Sequence, residues 1–329
     1  MEHTIDRIFE DFNKLKVMII GDVMVDSYIF GKVDRISPEA PIPILLTKKR
    51  EFRLGGAANV ALNIQALGAT PILCAIIGSD ENGEKLIERL SKRSLSSQGI
   101  VRSTYGRPTT TKTRVISGSQ HVVRIDTETN APLTTPEEDA LFNAIKLGME
   151  ESDVVIFEDY DKGTITTGII NKTMEIANEA GIPVAVDPKK RNFFNFKSCT
   201  LFKPNLDELK VSLKIDFKEE NMDDIRAASE KLRQKINCEH LLITLSSQGI
   251  IMNSKGNIEY FPAHLREISD VSGAGDTVIS VAALGLALNL PSSMIAQLAN
   301  IGGGLVCEHM GVVPIKKDDL FLEAKKHNL

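Results

Sequence analysis

Short apolar runs alternate with longer amphipathic segments along most of the chain. This alternation is typical of βαβ repetition and predicts a doubly wound, mostly parallel sheet flanked by helices. The predicted strands are Val17 to Ile20, Pro71 to Ile77, Val154 to Phe157, Pro183 to Val186 and Leu241 to Leu245. The predicted helices are Ala57 to Leu67, Gly83 to Ser91, Pro136 to Met149, Ile165 to Ala180, Asp223 to Lys235 and Gly275 to Leu288.

Two segments depart from this rhythm. Ile42 to Arg53 and Thr109 to Asp126 carry β-branched residues and charges at roughly alternating positions, which is the pattern of antiparallel strands with a polar face. We therefore predict one domain over residues 1–329, with a small β-sheet lid formed by about residues 36–54 and 107–127. The alternative is that both segments are edge strands of the main sheet.

Composition and charge exclude several classes of protein. The formal charge of −5, from 39 basic and 44 acidic residues, argues against general nucleic-acid binding but leaves room for an anionic substrate bound by a local cluster of cations. The four cysteines form no CxxC pair, so zinc and redox motifs are missing. The charged N-terminus has no signal-peptide core, and the longest apolar run, Val278 to Leu290, is too short to span a bilayer. We expect a cytoplasmic protein without membrane contact.

The segment Gly273-Ala274-Gly275-Asp276 stands at the start of a predicted helix. Small residues let the backbone approach a ligand closely, and free N–H groups at a helix start attract negative charge. A carboxylate in the same place suits a base that deprotonates a hydroxyl as it attacks a phosphoryl group. Phosphoryl transfer needs this combination of positioning, charge stabilisation and a base. The alternative is that Asp276 is a helix-capping residue.

Other phosphate-binding motifs are incomplete. Gly78 and Gly83 have the Walker spacing, but Glu84 and Lys85 follow them instead of Lys and Ser or Thr. No GxGxxG follows a predicted strand, and the protein-kinase motifs are missing.

Two segments resemble the signatures of the ribokinase-like (PfkB) carbohydrate kinases. They are Gly55 to Ala61 and Asp270 to Thr277, and Gly21 to Asp26 is similar to the family's first strand. The resemblance covers nearly the whole chain and implies the ribokinase-like fold and an ATP-dependent sugar kinase. It implies that Gly55 and Gly56 admit the sugar and that Asp26 and Asn59 hold its hydroxyls. It also implies that Asp276 is the catalytic base and that the amides of Gly273, Ala274 and Gly275 form the anion hole.

Further segments resemble the heptose 7-phosphate kinases within this family. They are Arg35 to Pro41, Arg53 to Asn59, Asp159 to Gly163 and Val186 to Lys189. The resemblance implies phosphorylation of the anomeric hydroxyl of D-glycero-β-D-manno-heptose 7-phosphate to the 1,7-bisphosphate, a step towards ADP-heptose for lipopolysaccharide or surface glycans. Because the chain ends soon after the kinase motifs, we expect a separate nucleotidyltransferase for the next step.

The resemblance to the carbohydrate kinase family also implies an ATP site. Asn205, Leu206, Asp207 and Glu208 would organise Mg²⁺ and the ATP phosphates, with Glu208 acting through water because Mg²⁺ keeps several of its waters. Without the resemblance, a helix start with acidic residues in its first turn is the favoured interpretation.

The resemblance also assigns a turn and a helix to the nucleotide. Thr244, Ser246 and Gly249 would contact the phosphates and ribose, and Asn300 would border the adenine. A plain turn and ordinary helix packing are the alternatives. The backbone at Asp270 and Ser272 would suit a monovalent cation such as K⁺.

A phosphorylated substrate requires cations for its own phosphate. Our candidates are Lys112, ranked first, with Arg124, Lys162 and Lys189, and we assign Asp187 to substrate binding. A solvated charged face is the alternative for any one of these cations.

An exposed lid sheet also has open edges and an apolar face to cover, so we expect a homodimer joined through the lids. Rival functions are another sugar kinase, a catalytically silent sugar-binding regulator, and, more distantly, a nicotinamide-dependent oxidoreductase.

Overall fold

The structure, a computed structural model, describes residues 4–218 and 221–329. Its strands are β1 (Lys16–Gly21), β2 (Val23–Ile36), β3 (Pro43–Gly56), β4 (Thr70–Gly78), β5 (Ile100–Ser103), β6 (Thr111–Ser117), β7 (Gln120–Thr127), β8 (Val154–Glu158), β9 (Val184–Asp187), β10 (Leu201–Phe202), β11 (His240–Thr244), β12 (Gly249–Ser254) and β13 (Asn257–Pro262). Its helices are α1 (Ile5–Asp11), α2 (Ala57–Ala66), α3 (Glu81–Lys92), α4 (Thr135–Met149), α5 (Thr167–Ala180), α6 (Leu206–Leu213), α7 (Met222–Ile236), α8 (Ala274–Ala287), α9 (Ser292–Val306) and α10 (Lys317–Lys326).

The main sheet has the strand order β13-β12-β11-β10-β9-β8-β1-β4-β5. The strands from β11 to β5 are parallel, and β12 and β13 add an antiparallel edge. Gly21, Glu158 and Asp187 are register partners at the carboxyl ends of β1, β8 and β9. Ligands of open α/β sheets bind at this edge, so the fold brings these residues to the expected place for a site.

Alternating side chains of the parallel strands enter two separate cores. In β1, Val17 and Ile19 pack in the core beneath α1, α2, α8 and α9, whereas Met18 and Ile20 pack in the core beneath α4, α5 and α7. A strand buried on both faces reads as a continuous apolar run, which explains why the short runs were visible in the sequence.

The second sheet has the order β3-β2-β6-β7 and contains the two segments predicted as a lid. The alternative interpretation of these segments as edge strands of the main sheet is wrong. Strand β2, which was not predicted, lies inside this sheet and pairs with both β3 and β6. Register shifts at Phe30/Gly31 and Val33/Arg35 interrupt the alternation of β2, and this irregularity hid the strand.

The predicted architecture is confirmed: a mostly parallel sheet is flanked by helices and accompanied by a smaller sheet. Each strand and helix predicted in the main domain is present, with ends shifted by a few residues at most.

Candidate active site

Helix α8 begins at a turn of small residues. Gly273 caps the helix with φ of +84°, a left-handed conformation that glycine adopts at little cost. Asp276, in the first turn, is only 6% exposed. A Cβ on Gly275 would lie 3.6 Å from Lys203 Nζ and 3.8 Å from the Asp187 carboxylate, so the helix start faces a charged pair at close range.

Two of the three amides predicted as an anion hole make no hydrogen bond within the described residues. The Ala274 amide donates a long hydrogen bond of 3.3 Å to the Val271 carbonyl, whereas the amides of Gly273 and Gly275 have no acceptor there. Unpaired N–H groups at a helix start are ready donors to an anion.

The Asp276 carboxylate accepts hydrogen bonds from two other elements. Asn59 Nδ2, on α2, donates to Oδ2 at 2.6 Å, and the Tyr160 hydroxyl, in the loop after β8, donates to Oδ1 at 2.9 Å. The side chain makes no capping hydrogen bond, and the N-cap position belongs to Gly273. The interpretation of Asp276 as a helix cap is therefore wrong.

Burial is the main cause that raises the pKa of Asp276 to about 6. The hydrogen bond from Asn59 lowers this pKa, the neighbouring carboxylate of Asp187 raises it, and Tyr160 and Lys203 lower it again. A carboxyl with a pKa near 6 is ionised at neutral pH and is still basic enough to accept a proton.

The sequence analysis assigned no role to Lys203 or Glu158, which lie buried at the strand ends. Lys203 Nζ forms an ion pair with Asp187 Oδ2 at 2.8 Å. Burial, followed by the charges of Asp187 and Asp276, raises the pKa of Glu158 well above its usual range, and its Oε2 has no hydrogen-bond partner. The only sequence feature that could have indicated Lys203 or Glu158 as a site residue is a charged side chain directly after a buried apolar run.

Asp22 fixes the loop that carries Tyr160. Its carboxylate accepts the backbone amides of Tyr160 at 2.9 Å, Lys162 at 3.0 Å and Thr164 at 3.1 Å. This residue lies inside the segment Gly21 to Asp26, but its role could not be predicted because its partners follow a strand more than a hundred residues later.

Two glycines bring β2 and β3 together beside this loop. A Cβ on Gly56, whose φ is +59°, would collide with the Asp22 carbonyl, and a Cβ on Gly55 would collide with the Asp26 carboxylate. Asp26 is paired with Arg114 of β6, which the sequence analysis did not assign. The predicted sugar-binding aspartate is therefore buried and held in one orientation.

The aromatic ring of Tyr28 joins three lid strands near Asp26. The guanidinium carbon of Arg53 lies 4.7 Å from the ring centroid, and that of Arg114 lies 5.3 Å from it. These cation–π contacts stabilise the part of the lid nearest the main sheet.

The predicted ATP residues on α6 form a capping box. Asn205 Oδ1 accepts a hydrogen bond from the Glu208 amide at 2.8 Å, and Glu208 Oε2 accepts one from the Asn205 amide at 2.9 Å. Glu208 Oε1 accepts Lys189 Nζ at 2.7 Å. Leu206 is buried in the core and Asp207 is exposed, so neither side chain joins this group.

The turn predicted to contact the nucleotide lies at the end of β11. Thr244 forms a bridge to Asn205, which places the turn beside the start of α6. Ser246 and Gly249 both have positive φ, and a Cβ on Gly249 would collide with the Phe261 carbonyl. A plain turn is thus enough to explain this glycine.

The Asn300 side chain, predicted to border the adenine, contacts the edge strand β13. Its Nδ2 donates to the Pro262 carbonyl at 2.8 Å. This hydrogen bond holds α9 against the end of that strand.

Three of the four cations predicted to bind the substrate's phosphate share carboxylates with one another. Lys112 and Lys162 meet at Glu128, with Nζ–O distances of 3.3 Å and 2.7 Å. Arg124 pairs with Asp126, which Lys112 also contacts at 3.3 Å, whereas Lys189 pairs with Glu208 on the side predicted for ATP. Each of these cations is already neutralised by a carboxylate.

The described residues contain no cluster of three or more His, Cys, Asp or Glu side chains that could hold a metal ion. Glu208 is available only singly, and both of its oxygens accept protein donors. This donor set suits a divalent ion that is held by ATP phosphates and contacts the protein through water.

No helix over residues 4–218 and 221–329 combines the length and apolar character needed to cross a membrane.

The chain matches the family described as pfkB family carbohydrate kinase over residues 14–318. A relative from Pelobacter propionicus named "Bifunctional protein HldE" is 36% identical over 309 residues, which are 94% of this chain and 63% of that protein. A relative of the same name from Syntrophotalea carbinolica is 34% identical over 325 residues, which are 98% of this chain and 66% of that protein. The chain therefore spans slightly less than two thirds of the length of these relatives.

The fold is similar to that of phosphofructokinase-2 from Escherichia coli. The structure in complex with potassium has a TM-score of 0.78 at 19% identity, and the structure in complex with fructose-6-phosphate has a TM-score of 0.77 at 18% identity. Each comparison covers 94% of this chain and 99% of that one.

The family match confirms the predicted enzyme class, a sugar kinase. The family match extends over nearly all of the residues that carry the two sheets and the site. The chain belongs to the pfkB family of carbohydrate kinases.

Proposed function

We propose that this kinase phosphorylates the anomeric hydroxyl of D-glycero-β-D-manno-heptose 7-phosphate to give the 1,7-bisphosphate. The observation that carries the chemistry is the Asp276 carboxylate, buried and held by two donors beside the unpaired amides at the start of α8. A base in that position can accept a hydroxyl proton while the amides stabilise the transferring phosphoryl group.

The heptose assignment is supported by the curated relatives. The two relatives named "Bifunctional protein HldE" from Pelobacter propionicus and Syntrophotalea carbinolica are 36% and 34% identical to this chain over more than nine tenths of its length. The segments Arg35 to Pro41, Asp159 to Gly163 and Val186 to Lys189 resemble heptose 7-phosphate kinases. Two of these segments lie at the site: Tyr160 binds the base, and Asp187 pairs with Lys203.

In the proposed mechanism the sugar lies between the lid and the strand ends. Asp26 and Asn59 hold its hydroxyls, and Asn59 also orients Asp276. Asp276 accepts the anomeric proton as the oxygen attacks the γ-phosphorus of ATP, and the bond from that phosphorus to the bridging oxygen breaks, so that ADP leaves. Lys203 provides a buried positive charge beside Gly275, where negative charge accumulates during transfer.

ATP would lie on the side of α6 and the β11 turn, near Asn205, Thr244 and Gly249. Mg²⁺, when bound with ATP, would neutralise phosphate charge, and Glu208 would contact it through water. Glu208 accepts hydrogen bonds from both Lys189 and the Asn205 amide, so a movement of its carboxylate would also move Lys189. Closure of the lid would exclude water from the reacting groups.

We also propose a monovalent-cation site at the loop that precedes α8. The Asp270 carboxylate accepts the amides of Ser272 and Gly311, both at 2.9 Å, and so ties two loops whose carbonyls could ligate K⁺. A similar fold has been solved in complex with potassium. A K⁺ titration of the rate, with Na⁺ as the control salt, tests this site.

The assignment of substrate is tested by a coupled ADP-release assay. The panel contains heptose 7-phosphate, sedoheptulose 7-phosphate, fructose 6-phosphate and ribose at equal concentrations. We expect kcat/KM for the heptose phosphate to exceed that for each other sugar at least tenfold. A higher value for another sugar would overturn the heptose assignment and leave the kinase class intact.

We also propose that the next reaction, adenylyl transfer, belongs to a separate nucleotidyltransferase. The relatives named "Bifunctional protein HldE" are longer than this chain, which spans 63% and 66% of their lengths.

A further inference from the structure

A small cationic cleft opens beside Asn59, which donates a hydrogen bond to the candidate base. It has a volume of about 90 Å³ and lies between α2, the end of β3 and the last turn of α3. Its lining includes Asn59 together with four cations, Arg53, Arg89, Lys92 and Arg93. It is lined by no carboxylate, although acidic residues outnumber basic ones in the chain as a whole.

Two of these cations have no carboxylate partner among the described residues. Arg53 pairs with Glu51 at 3.1 Å and Lys92 pairs with Glu88, but Arg89 and Arg93 form no ion pair. Arg89 is half-buried, with its guanidinium carbon 5.8 Å from the Phe52 ring centroid. Uncompensated guanidinium groups around a concave site concentrate positive potential there and favour an anion.

The position of α3 alone does not explain the cluster. Basic residues in the last turn of a helix are stabilised by its dipole, which accounts for Arg89 and Lys92 separately. Arg53, however, comes from β3 of the lid, and Asn59 comes from α2. The β3–α2 segment and the end of α3 therefore both contribute to one cleft.

Asn59 supplies an independent sign of a ligand. Its side chain is 1% exposed, its Nδ2 donates to Asp276, and its Oδ1 has no hydrogen-bond partner. A buried acceptor without a donor is costly, and a ligand hydroxyl would satisfy it. One residue thus connects the reacting carboxylate with the cleft.

We propose that this cleft binds the phosphate group that the sugar substrate already carries, with Arg89 and Arg93 as its donors. The inference rests on the proposed function, because it requires a phosphorylated sugar. It replaces the clamp of Lys112 and Lys162, which form ion pairs with Asp126 and Glu128. The ligand chemistry is a phosphate dianion, and its two sources are the substrate and free inorganic phosphate.

The test uses the double variant Arg89→Gln/Arg93→Gln in the full-length protein. We expect KM for heptose 7-phosphate to rise about 10- to 100-fold, the loss expected when one or two charge-assisted hydrogen bonds disappear. KM for ATP and kcat/KM for unphosphorylated heptose should stay within about twofold, because neither places a phosphate group against Arg89 and Arg93. Equal losses for the two sugars, or an unchanged KM for the phosphorylated one, would overturn the proposal.

Two controls make the result specific. Arg226→Gln removes an exposed arginine on α7, outside the cleft, and should leave both KM values unchanged. Arg89→Lys with Arg93→Lys retains the charge and should recover part of the affinity for the phosphorylated sugar. Melting temperatures of all variants establish that each one folds.

Inorganic phosphate distinguishes the two sources. We expect it to inhibit competitively against the sugar phosphate and to raise the melting temperature of the wild type but not of Arg89→Gln/Arg93→Gln. Noncompetitive inhibition that the double variant abolishes would make the cleft a separate phosphate site and overturn the substrate assignment. If the wild type uses no phosphorylated sugar, the proposed function fails, and the same melting experiment still tests phosphate binding in the cleft.

Discussion

Asp276 is a carboxylate withdrawn from water yet supplied with two hydrogen-bond donors, and the balance of these effects sets its reactivity. Burial disfavours its charge, whereas Asn59, Tyr160 and Lys203 favour it. The resulting pKa of about 6 lies well above that of an exposed aspartate and below physiological pH. The protein environment thus makes an ordinary side chain basic enough to serve as a proton acceptor.

The pH dependence of the rate follows from this balance. In the proposed mechanism the ionised form of Asp276 is the active base, so kcat/KM should fall as the pH drops below about 6. Tyr160→Phe removes a hydrogen bond that lowers the pKa of Asp276, and the acidic limb should therefore move to higher pH. The measurement is a pH–rate profile of both proteins. An unchanged acidic limb in Tyr160→Phe would contradict the role of Tyr160 as a positioning residue.

The ion pair between Lys203 and Asp187 is nearly inaccessible to water, with side-chain exposures of 4% and 7%. Lys203→Met leaves a buried carboxylate unpaired, so we expect a loss of about 3–5 kcal/mol in the free energy of unfolding, measured by urea denaturation. Lys255→Met breaks an exposed pair with Glu239 and should cost less than about 1 kcal/mol. Similar losses in the two variants would show that the buried pair has no special stabilising role.

At the scale of elements, the connection from β3 to α2 requires glycine for steric reasons. Gly56 has φ of +59°, and any Cβ there would collide with the Asp22 carbonyl. Gly118, in the β6–β7 turn, has a similar φ of +62° but has nothing within 4 Å of its Cβ position. Substitution of Gly118 would therefore cause backbone strain alone, whereas substitution of Gly56 would cause both strain and a collision.

Alanine at each glycine tests this distinction. Gly118→Ala should lose about 1 kcal/mol of stability through strain alone and keep its activity. Gly56→Ala should lose about 2 kcal/mol more and a large part of its activity, since the collision displaces the loop near the base. Thermal denaturation and the ADP-release assay measure both effects. Equal losses would mean that the close approach to Asp22 is unimportant.

At the scale of the whole molecule, the main sheet was predictable because each parallel strand is apolar on both faces. The lid was predictable only in part, since the bulges of β2 interrupt its pattern. The base and the small-residue turn lie within one segment, so their proximity could be predicted from the sequence. Asp22, Tyr160 and Lys203 are distant from Asp276 in sequence and come near it only in the folded structure. No local sequence pattern predicts such contacts.

The lid also leaves apolar side chains exposed in the single chain. They are Ile36, Ile42, Leu46, Val123 and Ile125, each at least 48% exposed. Large exposed apolar patches mark association surfaces, and the apolar character of this sheet fits a second copy of the same lid.

Sedimentation at micromolar concentration tests the proposed lid dimer. The wild type should sediment as a dimer, and Val123→Asp/Ile125→Asp should sediment as a monomer, because charge in an apolar interface is costly. Val211→Asp changes an exposed apolar residue on α6, away from the lid, and should stay dimeric. A monomeric wild type would overturn the proposal.

The most direct test of the central claim is the rate of Asp276→Asn. Asparagine keeps the size of the side chain and removes its basicity, so the fold should survive while kcat falls by about 10²–10⁴-fold, the contribution typical of a general base. The measurement is ADP release with sugar phosphate present, on a variant whose melting temperature matches the wild type. Turnover within tenfold of the wild type in such a variant would contradict the assignment of Asp276 as the base.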